Sequence, residues 1–190
     1  MERFRGVYAL AEKIDRSILP DPSAMALATV DEKGAPSVRI VLLKAHDERG
    51  FVFYTNYEGR KGRELLARRD AALCFYWAAI DVQIRVEGTV SKVADSEADA
   101  YFATRHRMSQ IGAWASHQSE PLENPRVLDE RVGKFDKKFE GRDVPRPPHW
   151  SGFRLEPRRI EFWKAKPNRL HERHLYTRVG KAWKIETLYP

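Results

Sequence analysis

Apolar side chains at Phe4, Val7, Tyr8, Ala11, Ile14 and Ile18 are spaced for one helical face. They predict an amphipathic N-terminal helix within residues 1–20, ended by Asp21-Pro22. The pattern then changes. Apolar runs from Met25 to Val30, Val38 to Ala45 and Phe51 to Thr55 alternate with Asp31-Glu32-Lys33-Gly34 and Asp47-Glu48-Arg49-Gly50, which reads as an antiparallel meander. A short helix is expected from Arg60 to Arg69, then two long strands over Ala71–Ile80 and Val82–Val93. Ser96-Glu-Ala-Asp99 resembles a capping box and opens a helix holding Tyr101, Phe102 and Arg105. Asn124 and Pro125 start a peripheral helix over 124–141, with a Leu128, Val132, Phe135, Phe139 stripe and Gly141 as its stop. Arg142 to Trp150 is a proline-rich loop. Residues 151–190 return to strands at Phe153–Leu155, Ile160–Ala165, Leu170–Tyr176 and Ala182–Leu188, with a hairpin turn at Val179-Gly180-Lys181. Strands without regular βαβ alternation predict a mainly β fold, an antiparallel barrel with helices packed outside it.

Composition narrows this further. A chain of 190 residues, 42% hydrophobic and 32% charged, is a single domain over 1–190 with enough apolar surface for a core. One cysteine, Cys74, excludes an intramolecular disulfide framework and any multi-cysteine metal site, and its apolar setting predicts a buried, inert thiol. The longest uncharged apolar run, Ala71 to Ile80, is about half of the ~20 residues a membrane-spanning helix needs. The N-terminus has no signal-peptide pattern, so the expected compartment is the cytoplasm. The net charge of +7 is uneven: residues 141–190 hold 12 basic and 5 acidic side chains, and residues 1–140 hold 22 of each. A basic tail points to anionic partners.

Several groups of residues match that chemistry. Gly59-Arg60-Lys61-Gly62 puts two cations at a helix start, where the helix dipole disfavours them unless an anion binds there; the alternative is a solvated basic helix end. Arg169, His171 and Arg173 share a face if they lie in a strand, either for a ligand or as a basic edge. Tyr101, Arg105 and Ser109, four apart, form a phosphate clamp or an ordinary helix face, provided one helix runs through them. Arg39 and Lys44 differ by five, so strict alternation puts them on opposite faces of one strand unless a bulge intervenes. Tyr54-Thr55 closes another strand. Gln83 among apolar residues needs a hydrogen-bonding partner. Dinucleotide-binding, nucleophile-elbow and zinc-protease motifs are absent. Separated anion sites with few acid–base groups suit an enzyme that leaves the chemistry to a cofactor.

Read in order, Arg39-Ile-Val-Leu-Leu-Lys44, Phe53-Tyr-Thr-Asn56, Arg60-Lys61, Gln83, Ser109-Gln-Ile-Gly-Ala-Trp114, Gln118-Ser119, Ile160-Glu-Phe-Trp163 and Arg169-Leu-His-Glu-Arg173 resemble the pyridoxamine (pyridoxine) 5′-phosphate oxidase family. The resemblance runs from about Ala24 to the C-terminus. It implies a split β-barrel homodimer with FMN at the subunit interface. It implies FMN contacts from Arg39, Lys44, Tyr54, Thr55, Arg60, Lys61, Gln83, Gln118, Ser119, Trp163 and Arg173. Lys44, Tyr101, Arg105 and Ser109 are implied around the substrate phosphate, with Arg169 and His171 as the catalytic pair over the pyridine ring. The implied reaction is oxidation of pyridoxamine or pyridoxine 5′-phosphate to pyridoxal 5′-phosphate, with O2 reduced to H2O2. Val82 stands where many relatives have arginine, and Thr187-Leu-Tyr-Pro190 lacks an arginine common near the family's terminus. The alternatives are a flavin oxidase of the phenazine-pathway type and a non-enzymatic FMN-binding protein. No metal, membrane or nucleic-acid partner is expected.

Overall fold

The computed structural model describes residues 1–190. Nine strands form a single antiparallel sheet: β1 (Ala24–Val30), β2 (Pro36–Leu42), β3 (Ala45–Asp47), β4 (Gly50–Asn56), β5 (Asp70–Trp77), β6 (Val82–Lys92), β7 (Trp150–Lys164), β8 (Glu172–Val179) and β9 (Ala182–Thr187). The order is β2-β1-β5-β6-β7-β4-β3, with β8 also on β7 and β9 on β8. Five helices lie outside it: α1 (Glu2–Glu12), α2 (Arg60–Ala67), α3 (Asp95–Ala103), α4 (Arg107–Ala115) and α5 (Pro125–Lys138). This is the mainly β split barrel with peripheral helices. The split follows from the length of β7. Its first half, Trp150 to Leu155, pairs with β4, and its second, Arg159 to Lys164, pairs with β8. Strand β6 runs along the other edge of both halves.

One pattern governs the core. Alternate residues of β1 and β5 are buried, so Met25, Leu27, Leu73, Phe75 and Trp77 point inward to meet Phe51, Phe53 and Phe153. Helix α1 closes one side with Phe4, which is fully buried against Phe51 and Phe75. A smaller cluster of Phe102, Ile111, Phe139, Val144 and Trp150 joins α3, α4 and the loop before β7 to the sheet. No helix is long and apolar enough to cross a membrane.

Several boundaries differ from the sequence expectation. The N-terminal helix stops at Glu12, not near residue 20. The Asp15 carboxylate accepts hydrogen bonds from the Ser17 amide (2.8 Å) and hydroxyl (2.6 Å), a local turn that competes with helix. The strands expected at Phe153–Leu155 and Ile160–Ala165 are one continuous β7, with the register shifting near Pro157. A bulge is where a strand tolerates proline. Gly88 opposite has no room for a side chain, because a Cβ would run into the Glu156 carbonyl. The expected strand Val38 to Ala45 breaks after Leu42, so Lys44 lies in the link to β3 and the opposite-face conflict with Arg39 disappears. The helix expected to carry Tyr101, Arg105 and Ser109 is two helices. Thr104 caps α3, and His106, with ψ 137°, starts α4. Helix α3 begins at Asp95 behind Ala94, so Ser96 is not its cap. Strand β8 begins at Glu172, so Arg169 and His171 do not share a strand face with Arg173. Pro167–Arg169 is a short 3-10 turn in which Asn168 and Arg169 have φ of 58° and 61°.

Candidate active site

The link after β2, the end of β4 and the starts of α2 and α4 surround an open cleft of about 540 Å³. Eight of the predicted residues line it: Lys44, Tyr54, Thr55, Lys61, Tyr101, Arg105, Ser109 and Gln118. Its wall contains Lys44, Lys61 and Arg105 but no Asp or Glu. None of these three cations has a carboxylate within salt-bridge distance. The Arg105 guanidinium lies over the Trp150 ring at 4.7 Å, and its Nη1 is buried with no hydrogen-bond partner. Burial pulls the pKa of Arg105 down from the ordinary arginine value. Burial, and then the Arg39 guanidinium, likewise pull Lys61 below the lysine range. Two half-buried cations and the exposed Lys44, none of them paired with a carboxylate, suit an anion.

Local structure explains the placement. Helix α2 starts at Gly59 without a side-chain cap and without an acid in its first turn, so its free N–H groups and dipole add to the field of Lys61. Gly62 is needed here because a Cβ would collide with the carbonyls of Asn56 and Tyr57, at the end of β4 and just after it, which approach the helix closely. Lys61 Nζ donates to Gln118 Oε1 (2.7 Å), as does the Thr55 hydroxyl (3.4 Å). Tyr54 stacks on Tyr101 (4.1 Å between centroids) and on Trp150 (5.3 Å). Burial, and then Glu97, push the Tyr54 phenol up to about 12, so it stays protonated.

Arg39 and Arg60 do not line the cleft; both are engaged by Glu64, which is only 6% exposed. The Glu64 carboxylate accepts from Thr29 Oγ1 (2.5 Å), Ser37 Oγ (2.7 Å), Arg60 Nε (2.8 Å) and Arg39 Nη2 (3.2 Å). Although burial opposes ionisation, these donors together hold its pKa down at about 2. Ser119, in a left-handed turn (φ 72°), is exposed beside Gln118 but outside the cleft.

Four of the remaining predicted residues, Gln83, Trp163, His171 and Arg173, form a second group, and Arg169 is exposed in the turn before them. Gln83 is opposite Trp163 on β6–β7, and Trp163 is opposite Arg173 on β7–β8, a cross-strand row. Gln83 is half-buried in this row rather than a core glutamine. Arg173 Nε donates to Glu161 Oε1 (2.8 Å), and Arg85 also pairs with Glu161, whose pKa these arginines lower against the opposing effect of burial. His171 packs on Trp163 at 4.6 Å, and its Nδ1 accepts the Lys166 amide (3.3 Å). None of Gln83, Trp163, Arg169, His171 and Arg173 lines the cleft. Tyr54 is opposite Gly152, and Trp163 is 11 residues further along β7, about 36 Å of strand. Cleft-lining residues that sequence reasoning missed are Ile40, Val41, Leu42, Asn56, His106 and Trp150. Ile40, Val41, Leu42 and Asn56 lie within the stretches that carry the family resemblance, and Trp150 closes a proline-rich loop, but His106 has no such signal.

Fold and site together define a split-barrel protein with a carboxylate-free, cation-lined cleft for anionic ligands. Comparison with known proteins refines that class. A family model described as pyridoxamine 5′-phosphate oxidase matches residues 11–164, and one described as the pyridoxine 5′-phosphate oxidase C-terminal dimerisation region matches residues 150–190. The chain belongs to the pyridoxamine 5′-phosphate oxidase family. It is 56% identical over 190 residues to a pyridoxine/pyridoxamine 5′-phosphate oxidase of Myxococcus xanthus, covering 100% of this chain and 91% of that protein. It is 55% identical to the protein of that name from Rubrobacter xylanophilus, covering 94% and 82%. Among solved structures it is similar to PhzG from Burkholderia lata 383 in complex with tetrahydrophenazine-1-carboxylic acid (TM-score 0.88, 34% identity, 100% of this chain and 90% of that one).

Proposed function

We propose that this chain is an FMN-dependent oxidase that converts pyridoxamine 5′-phosphate and pyridoxine 5′-phosphate to pyridoxal 5′-phosphate, with O2 reduced to H2O2. The observation that carries this reading is the cleft itself: three unpaired cations, no carboxylate, and a buried Arg105 nitrogen lacking an acceptor. These features fit two phosphate esters, one from the cofactor and one from the substrate. Family membership and relatives of that name at 55–56% identity support the same activity.

Lys61, Gln118, Thr55 and the α2 N-terminus would hold FMN, with Arg39, Arg60 and Ser119 at its margin. Lys44, Tyr101, Arg105 and Ser109 would hold the substrate phosphate, each charge-assisted hydrogen bond contributing about 1.5–3 kcal/mol. Bound FMN supplies the two-electron acceptor and the reactivity toward O2. The row of Gln83, Trp163 and Arg173, with Arg169 and His171, is separated from the cleft by about 36 Å of strand. The reading therefore makes these residues the complementary half of the site, contributed by a second subunit of a homodimer. The match of residues 150–190 to a dimerisation region supports this arrangement. Because His171 Nδ1 takes the Lys166 amide, the neutral imidazole keeps its proton at Nε2, ready to exchange with a substrate heteroatom. Arg169 would orient the ring beside it.

The test is an absorbance spectrum of the purified protein, titrated anaerobically with pyridoxine 5′-phosphate. A flavin band that bleaches and returns in air, with pyridoxal 5′-phosphate and peroxide as products, is the expected result. A colourless protein that takes up no FMN overturns the proposal. So does a flavin band that pyridoxine 5′-phosphate leaves intact. The likeness to PhzG favours one second reading, a flavin oxidase acting on a reduced phenazine. A panel containing both substrate classes separates them.

A further inference from the structure

His106 lines the cleft between Arg105 and Ser109, and the roles proposed above do not use it. It is the N-cap of α4, and its geometry fixes which ring nitrogen is free. Its carbonyl accepts the amides of Ser109 (2.8 Å) and Gln110 (3.1 Å), and its Nδ1 accepts the Met108 amide (3.3 Å). An Nδ1 lone pair committed to the helix leaves the neutral ring's proton on Nε2. Met108 N is the only hydrogen-bond partner of this side chain, and the imidazole is exposed to the cleft. The cleft wall offers no carboxylate to take the proton. Beside it are the orphaned Arg105 Nη1 and the Ser109 hydroxyl, both donors. Three groups able to donate on one short stretch, with no carboxylate beside them, suit a group with several acceptor oxygens.

We infer that His106 is a further ligand of the substrate phosphate, donating from Nε2. This rests on the assignment of the cleft as a phosphate-ester site. Capping alone does not account for a histidine here, because Asn, Asp and Ser are better caps. That difference supplies the test. His106→Asn keeps a side chain able to cap Met108 but removes the imidazole donor; His106→Ala removes both. Each flavin-loaded variant is assayed for the KM of pyridoxine 5′-phosphate and for competitive inhibition by inorganic phosphate. Both constants are expected to rise about tenfold in both variants, while the melting temperature falls only in His106→Ala. Wild-type constants in His106→Asn overturn the inference and leave the imidazole a cap alone. A wild-type enzyme that oxidises pyridoxine 5′-phosphate without inhibition by inorganic phosphate also overturns it. A wild-type enzyme with no activity on that ester removes the parent assignment as well.

Discussion

Glu64 is the one buried carboxylate next to the cleft, and its removal has a calculable effect. Four donors hold its pKa at about 2, against 4.5 for an unperturbed glutamate. Glutamine at this position mimics the protonated acid, so wild type minus Glu64→Gln isolates the value of the charge. A depressed folded pKa stabilises above the unfolded pKa, and that stabilisation is lost as pH falls toward the folded one. A separation of about 2.5 pKa units corresponds to about 3 kcal/mol at pH 7, falling to about 1 kcal/mol at pH 3. Urea unfolding of both proteins, at equal protein concentration and saturating FMN, measures this directly. The expected result is a stability gap that is widest near neutrality and closes through the window from about pH 4.5 to about pH 2. A gap that stays constant over that range, or below about 1 kcal/mol at pH 7, refutes the ion-pair account of Arg39 and Arg60.

Three further outcomes follow from the same geometry. Gly62→Ala puts a methyl group against the carbonyls of Asn56 and Tyr57 and is expected to lower the melting temperature sharply; an unchanged melt shows that α2 can shift without cost. Arg105→Met keeps an apolar stem on Trp150 but deletes the unpaired guanidinium, so the KM for pyridoxine 5′-phosphate should rise about 10- to 100-fold, and an unchanged KM removes Arg105 from the phosphate site. Lys61→Ala and Arg173→Ala, each expected to bind FMN poorly, should regain about a quarter of wild-type activity when unfolded and refolded together. Half of randomly paired dimers are mixed, and each mixed dimer has one intact site. No recovery on mixing indicates that the two groups of residues do not meet across an interface.

Legibility in the sequence tracked how local each determinant is. The β1–β2 and β3–β4 turns were readable because glycines and aspartates mark them, and the α5 start because Asn124 and Pro125 mark it. Elements set by contacts distant in sequence were not. Pro157 reads as a strand break, yet β6 accommodates it through Gly88, 69 positions earlier. The i, i+4 spacing of Arg60 and Glu64 was visible in principle, but the Thr29, Ser37 and Arg39 donors that complete the cluster come from two strands. The clamp shows the converse. The spacing of Tyr101, Arg105 and Ser109 puts them on one face only if one helix runs through them, yet they line one cleft although the helix breaks between them. Packing of α3 and α4 around Trp150 achieves what helical periodicity was expected to achieve.

The uneven charge takes on a different meaning in three dimensions. The basic surplus of residues 141–190 is the obvious sequence signal for an anion, but much of it is neutralised by acids of the preceding segment. Arg146 pairs with Asp95 and Asp99, Arg154 with Asp47 and Glu97, Arg158 with Asp70, and Arg159 with Glu87. Each pair crosses from the C-terminal segment to the body of the chain, so acids that would balance local lysines and arginines are engaged elsewhere. What remains without carboxylates includes Lys44, Lys61 and Arg105, all within the stretch whose charges sum to zero. Surface pairs of this kind contribute little stability individually, about 0–1 kcal/mol. Their effect on the field is local: paired acid and arginine cancel each other, whereas the cleft wall holds cations and no carboxylate. The tail's basic excess is thus mostly taken up by ion pairs, and its share in the proposed site narrows to Arg169, His171 and Arg173.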